Sequence, residues 1–131
     1  MYNFGMPSSL KAWIDHIVRL GRTLHYTPEV KDHPFTGAFA DRNVPVVVLS
    51  SRGDHGMDPG GIYAHMNHLD PAIATALGFI GLHDIRSIAV EHQSQGGEPL
   101  AQSVRSSLSA TTRLVDDLLR THASTDSRSF A

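Results

Sequence analysis

VPVVVLS, residues 44–50, followed at once by SRGDHGMDPGG, residues 51–61, is the stretch that decides the fold. Seven residues that are mostly β-branched and carry no charge read as a strand buried on both faces, which is the pattern of a parallel sheet. The glycine-rich segment after it breaks the strand and opens a turn toward the next element. Parallel strands need crossover connections, so helices are expected on either side.

They are legible in both directions. Upstream, Leu10, Trp13, Ile14, Ile17 and Leu20 recur at three- and four-residue spacing, so an amphipathic helix is expected over residues 8–20 with this stripe in the core. Ser8 or Ser9 can cap its start, and Gly21 fits the position just past its end. Residues 22–43 show no sustained period and hold Pro28, Pro34 and Gly37, so they read as one long loop. Downstream, Asp70-Pro71 reads as an N-cap followed by proline at the first helical position, opening a helix through Ile73, Leu77 and Ile80 that stops near Gly81. IRSIAV, residues 85–90, reads as a second buried strand. Pro99 opens a last helix with Leu100, Val104, Leu108, Val115 and Leu119 on one broad stripe, and residues 122–131 read as a frayed tail.

The order helix, strand, helix, strand, helix implies α/β layering with a parallel sheet. Two strands are too few to bury the stripes of three helices, and a lone parallel pair leaves both edges open. The expectation is that residues 1–121 are the C-terminal part of a larger domain whose first strands precede Met1, or that another chain completes the sheet.

Composition narrows the chemistry. The 131 residues carry a net charge of -2, which gives no basic footprint for nucleic acid. There is no cysteine, which removes disulfides, thiolate metal sites and cysteine nucleophiles. No apolar run approaches a membrane span, and Lys11 and Asp15 interrupt the first apolar residues, so neither membrane nor signal peptide is expected and the default is cytoplasmic. Nine histidines are scattered. His65 and His68 could share a helix face, but no HExxH-type carboxylate accompanies them, so no metal site is expected. Asp15 and His16 are helix neighbours pointing apart, and Ser106, Ser107 and Ser109 have no matched base, so no hydrolase constellation is present.

Two segments could carry a ligand. In an open parallel sheet, ligands bind outside the carboxyl ends of the strands. Ser51-Arg52-Gly53-Asp54 stands at such an end. There Gly53 allows close backbone approach, Ser51 offers a hydroxyl and Arg52 a charge; the alternative is a plain strand-to-helix turn. The segment lacks the Walker lysine and the GxGxxG spacing. The other segment is Met1-Tyr2-Asn3-Phe4-Gly5, whose aromatics and amide suit a planar heteroaromatic ligand; the alternative is a turn anchored by its rings.

With these residues in view, MYNFGMPSSLKAWIDHIVRLGRTLHY (1–26), VVVLSSRG (46–53) and LGFIGLHDIRSIAVE (77–91) together resemble the FMN-dependent NADH-azoreductase and NADH:quinone oxidoreductase family over residues 1 to about 121. The resemblance implies a flavodoxin-like fold, of which this chain is a partial one. It also implies a homodimer with FMN near the dimer interface, and two-electron transfer from NADH through FMN to a quinone or azo compound. Met1, Tyr2, Asn3 and Phe4 match a motif that contacts the isoalloxazine ring. Ser51, Arg52 and Gly53 match a motif at the flavin's polar edge, with Asp54 beside it. Tyr26 matches an aromatic of the substrate pocket, and Phe79 a position that reaches the partner's pocket. No catalytic side chain is expected, because the cofactor carries the chemistry.

The chain departs from the family in two places. Asp54 stands where a second glycine is usual. If that backbone needs positive φ, strain follows, and a carboxylate there would disfavour an anionic reduced flavin. The strand and serine-bearing loop that hold the FMN phosphate lie upstream of the matched motif, so this chain is expected to lack them. Two other readings fit the same residues: a non-catalytic truncated remnant that keeps dimer-forming surfaces, and a flavin-binding electron-transfer module without NADH activity.

Overall fold

The computed structural model describes residues 3–126. Three helices and four strands follow in the order α1 (Ser8–Ile17), β1 (Leu24–Tyr26), β2 (Phe35–Gly37), β3 (Val46–Ser51), α2 (Leu69–Phe79), β4 (Ile85–Val90) and α3 (Gly97–Asp126), with a 3-10 turn at Ala64–Met66 before α2. Strands β3 and β4 are neighbours in one sheet. Val46 N donates to Asp84 O and Arg52 N to Val90 O, both at 2.8 Å, so the partners advance together along both strands and the pair is parallel. The α/β class and the two expected parallel strands are therefore present.

Contacts divide the chain into two units. One comprises the run up to Leu49 with His55–Ser87, and the other Ser50–Asp54 with the chain from Ile88 onward. In the first unit, Ile14 of α1 packs with Leu69, Ile73 and Leu77 of α2 and with Ile80 to form the core, and Val46, Val48 and Ile85 lie against it. This cluster sits on one face of β3. The other face, Val47 and Leu49, is 40% and 66% exposed, so β3 is covered on one side within its unit and not on both. Helix α1 ends at Ile17, three residues earlier than periodicity suggests. Leu10 and Ile17 pack on the core, whereas Trp13 is 52% and Leu20 65% exposed. Trp13 sits at the flank of the stripe, about 100° per residue away from the Ile14 direction, and the single-layer core does not reach it.

Caps also differ from expectation. The residue before α1 is Pro7, with Ser8 already helical and no side-chain cap. Helix α2 starts at Leu69, which puts Pro71 inside the first turn, where its missing N–H leaves no bond unmade. Its capping group is Asn67, whose Oδ1 accepts from Leu69 N at 3.2 Å and Asp70 N at 3.1 Å. Gly21 and Gly81 do adopt positive φ, 74° and 97°, in the turns after α1 and α2.

The expected long loop 22–43 contains a hairpin. Strands β1 and β2 pair antiparallel, with Leu24 opposite Gly37, His25 opposite Thr36 and Tyr26 opposite Phe35. Three-residue strands are too short to show a period, so the pairing was invisible to pattern alone. In the second unit, α3 is tied to β4: Ser107 Oγ donates to Ala89 O, and Glu91 N donates to Ser103 Oγ, both at 2.8 Å. Helix α3 continues to Asp126, and residues 127–131 of the expected tail lie outside the described residues. Its stripe is open, with Leu108 63%, Val115 47% and Leu119 64% exposed.

Candidate functional site

The carboxyl end of β3 runs directly into Ser51-Arg52-Gly53-Asp54. In the second unit this segment interlocks with the turn that follows β4. Gln93 N donates to Arg52 O at 3.1 Å, Ser94 N to Gly53 O at 2.9 Å and His92 N to Asp54 O at 3.3 Å. Arg52 is only 1% exposed, and its Nη1 lies 3.1 Å from Glu91 Oε1. Its charge is thus turned inside the protein, and its backbone N–H and carbonyl are engaged as well, by Val90 O and Gln93 N. Glu91 in turn is fixed to α3 through its own N–H. Gly53 faces the turn after β4: a Cβ there would lie 2.7 Å from the Ser94 hydroxyl. Asp54 is exposed and is not among the residues with positive φ, so the strain expected at the usual glycine position does not arise. The strained residue is instead His92, at φ 64° in the facing turn, with Nδ1 2.7 Å from Gln95 Oε1.

The first unit holds the other candidates. Met1 and Tyr2 lie outside the described residues. Asn3 and Phe4 are both exposed and both left-handed, at φ 45° and 63°. Two successive non-glycine residues in that region cost on the order of 1–3 kcal/mol each, and such strain concentrates at functional segments. The turn is held because Phe4 O accepts from His68 N at 2.9 Å, at the mouth of α2. Tyr26 ends β1 and Phe79 ends α2. Phe35 stands between them, with its centroid 5.1 Å from Tyr26 and 5.5 Å from Phe79.

Pattern reading missed Phe35, Glu91, His92 and Ser94. Two of them left a signal. Phe35 follows Pro34 and precedes Gly37, so an aromatic stands beside turn-forming residues within the irregular stretch. Arg52 and Glu91 each stand one residue past the end of a parallel strand, which brings opposite charges level. His92 and Ser94 left none. A separate concavity of about 750 Å³ lies among Met57, Asn67, Asp70 and Ile85 in the first unit, and no expected site residue lines it. Among the described residues there is no group of three side chains able to hold a metal ion, and no helix long and apolar enough to cross a membrane.

Comparison with known proteins gives the same fold. A family profile described as flavodoxin-like fold matches residues 1–114. The chain is 43% identical over 103 residues to FMN-dependent NAD(P)H:quinone oxidoreductase 1 of Pseudomonas aeruginosa, covering 79% of this chain and 48% of that protein. It is 40% identical over 116 residues to FMN-dependent NADH:quinone oxidoreductase 1 of Pseudomonas fluorescens, covering 88% and 52%. The crystal structure of an azoreductase from Bacillus anthracis superposes with a TM-score of 0.71 at 22% identity, over 88% of this chain and 52% of that one. At that identity the likeness is one of fold. The chain spans about half the length of the curated relatives it matches.

Proposed function

The chain belongs to the flavodoxin-like fold family, and from that premise we propose that it carries the ring-binding and acceptor-binding side of an FMN-dependent NADH:quinone or azo oxidoreductase. The observation that carries this reading is the Ser51–Asp54 loop at the carboxyl end of a parallel strand, held by the Arg52–Glu91 ion pair. Ligands of open α/β sheets bind at that end.

Each unit by itself holds groups of the kind a flat ring system with a polar edge would use. In the first, Phe4 and Asn3 offer an exposed aromatic face and an exposed amide. In the second, the exposed Ser51 brings a hydroxyl. Met1 and Tyr2 complete the motif of the first segment. When bound, FMN would supply the two-electron chemistry between NADH and the acceptor. The protein's tasks are to bind, orient and keep water out. Tyr26 and Phe79 are proposed to line the acceptor pocket, Asp54 to bear on the flavin's charge, and the assembly to be a cytoplasmic homodimer. The open faces at Val47 and Leu49, and at Leu108, Val115 and Leu119, are surfaces on which further strands or a second protomer would pack.

The test is direct. FMN is added to the purified chain, free flavin is removed, and the visible spectrum and quinone-dependent NADH oxidation are recorded. A yellow protein that oxidises NADH only with a quinone or azo compound supports the reading. A folded but colourless protein overturns it for this chain. A yellow protein inert toward NADH reassigns it as an electron-transfer module.

A further inference from the structure

Among the described residues of the second unit, His92 is the one non-glycine residue with left-handed backbone, at φ 64°. A few residues on, the chain is left-handed again at Gly96 and Gly97, φ 68° and 58°, where glycine adopts that conformation without steric cost. At position 92 a side chain is present instead, and strain of this kind persists only where the surroundings over-determine it. We infer that His92 is a positioning residue for the Ser51–Asp54 loop: its left-handed backbone and its ring bond to Gln95 lock the turn after β4, and that turn holds the loop in the one conformation that meets a ligand. This deepens the reading above and rests on it for what the loop binds.

Three observations carry the inference. First, the bend aims the turn at the loop. Strand β4 ends at Val90, and Glu91 is tied to α3 through Ser103. From His92 the chain turns back, and three consecutive N–H groups, those of His92, Gln93 and Ser94, donate to the carbonyls of Asp54, Arg52 and Gly53. An extended residue at 92 would carry Gln93 and Ser94 onward along the strand direction, away from these acceptors. Second, the bend is closed on itself by backbone and side chain together. His92 O accepts from Gln95 N at 3.1 Å and from Gly96 N at 3.0 Å, and His92 Nδ1 lies 2.7 Å from Gln95 Oε1. A glycine at 92 would take the same φ, but it would bring no ring and more backbone freedom to lose. Histidine therefore gives a stiffer turn at the cost of local strain. Third, turn and loop share their anchor. Arg52 N donates to Val90 O, and its guanidinium meets Glu91, the residue directly before His92. The loop is thus held at Arg52 on one side of the bend and at Gly53 and Asp54 on the other. A loop held in this way meets a ligand already ordered, which leaves less ordering for the binding step.

The test is amide hydrogen exchange on the full chain without flavin, read by NMR at Gln93 and Ser94. The amides of Ile73 and Leu77 in α2 serve as the reference for wider opening. His92→Val, a β-branched residue that resists the left-handed region, should speed exchange at Gln93 and Ser94 about tenfold. His92→Asn, which tolerates that region, should restore most of the protection. Gln95→Leu leaves His92 in place and removes the ring's partner at an exposed position, and it should speed exchange about threefold. The reference amides should stay within about twofold of wild type in all three variants. The inference is overturned if Gln93 and Ser94 in Gln95→Leu exchange as in wild type, or if His92→Asn is as fast as His92→Val. It is also overturned if the reference amides speed up by the same factor, which is loss of stability rather than positioning. Should His92→Val not fold, the Gln95→Leu result decides alone. FMN affinity is measured separately on the same proteins by quenching of flavin fluorescence, and should weaken in the same order, about fivefold in His92→Val. Where the wild type binds FMN, an equal affinity in His92→Val overturns the inference. A wild type that binds no FMN yet shows the exchange pattern keeps this inference and loses the reading of what the loop binds.

Discussion

The hairpin on the end of α2 and the loop after β3 are both short segments held in one conformation, but they are held by different forces. The hairpin is fixed by close approach: Gly37 meets Ile80, and Gly81 meets Ala40, at distances that leave no room for a side chain. The loop is fixed by charge and hydrogen bonds: the buried Arg52–Glu91 pair, with three backbone bonds across to the turn at 92–94. The first device leaves side chains free to point outward, and three aromatic rings do. The second turns its charged side chain inward and engages the Arg52, Gly53 and Asp54 carbonyls. The two segments are thus held by a steric and an electrostatic clamp respectively.

If this division is right, the two regions should fail in different ways. The largest effect is expected at Gly37→Ala, where the new methyl would overlap backbone that cannot move away cheaply. Denaturant unfolding should show a loss of about 3 kcal/mol or more, and a loss under 1 kcal/mol would show that the hairpin is not clamped there. Next comes Arg52→Met, which removes the ion pair to Glu91. With Glu91 still 19% exposed at its side chain, the loss should be about 2–3 kcal/mol, below the range for a fully buried pair. The double variant Arg52→Met, Glu91→Leu should recover at least half of it, because two apolar groups need no partner. A double variant no better than the single one would mean the loop is held by something other than the charge pair. The smallest effect concerns the hinge into β4. Arg86 donates to both Asp84 oxygens, at 2.8 and 3.0 Å. That bond holds the carboxyl below its ordinary value of 3.8, against a smaller opposing effect of burial. A depressed carboxyl stabilises the fold above its ordinary pKa, and that contribution is lost as pH falls through the folded value. Both side chains are 31% exposed, so screening reduces the effect to a few tenths of a kcal/mol. Asp84→Asn should therefore cost about a few tenths of a kcal/mol at neutral pH and flatten the acid limb of the stability profile, and a neutral-pH loss above about 1 kcal/mol would assign Asp84 a further structural role.

The hairpin and the loop also differ in how much of them the chain reveals. The loop was legible: VPVVVLS reads as a strand, and Ser51–Asp54 follows it at the end where ligands bind. What was misread is the direction of Arg52, because its partner lies 39 residues away and nothing local records that the guanidinium turns inward. The hairpin was read as irregular, since three residues per strand carry too little period to detect. Trp13 was read as core from its spacing on α1, although the stripe was right for Leu10, Ile14 and Ile17. Spacing gives the side of a helix, and only the extent of the neighbouring layer decides how wide a stripe is covered. The cap of α2 was assigned to Asp70 and belongs to Asn67, a shift of three residues within a segment rich in cap-forming side chains.

By itself the sequence determined the alternation of helices and strands, the parallel class, the loop at the carboxyl end of β3 and the motifs that tie this chain to its family. These depend on interactions between residues a few positions apart, which periodicity and turn chemistry record. Only the tertiary structure decided that Phe35 bridges Tyr26 and Phe79, that Arg52 is buried against Glu91, and that one face of β3 stays open. Each of these depends on which distant segments meet, and the free energy of such contacts is set by burial and close approach in the folded chain, which no local pattern encodes.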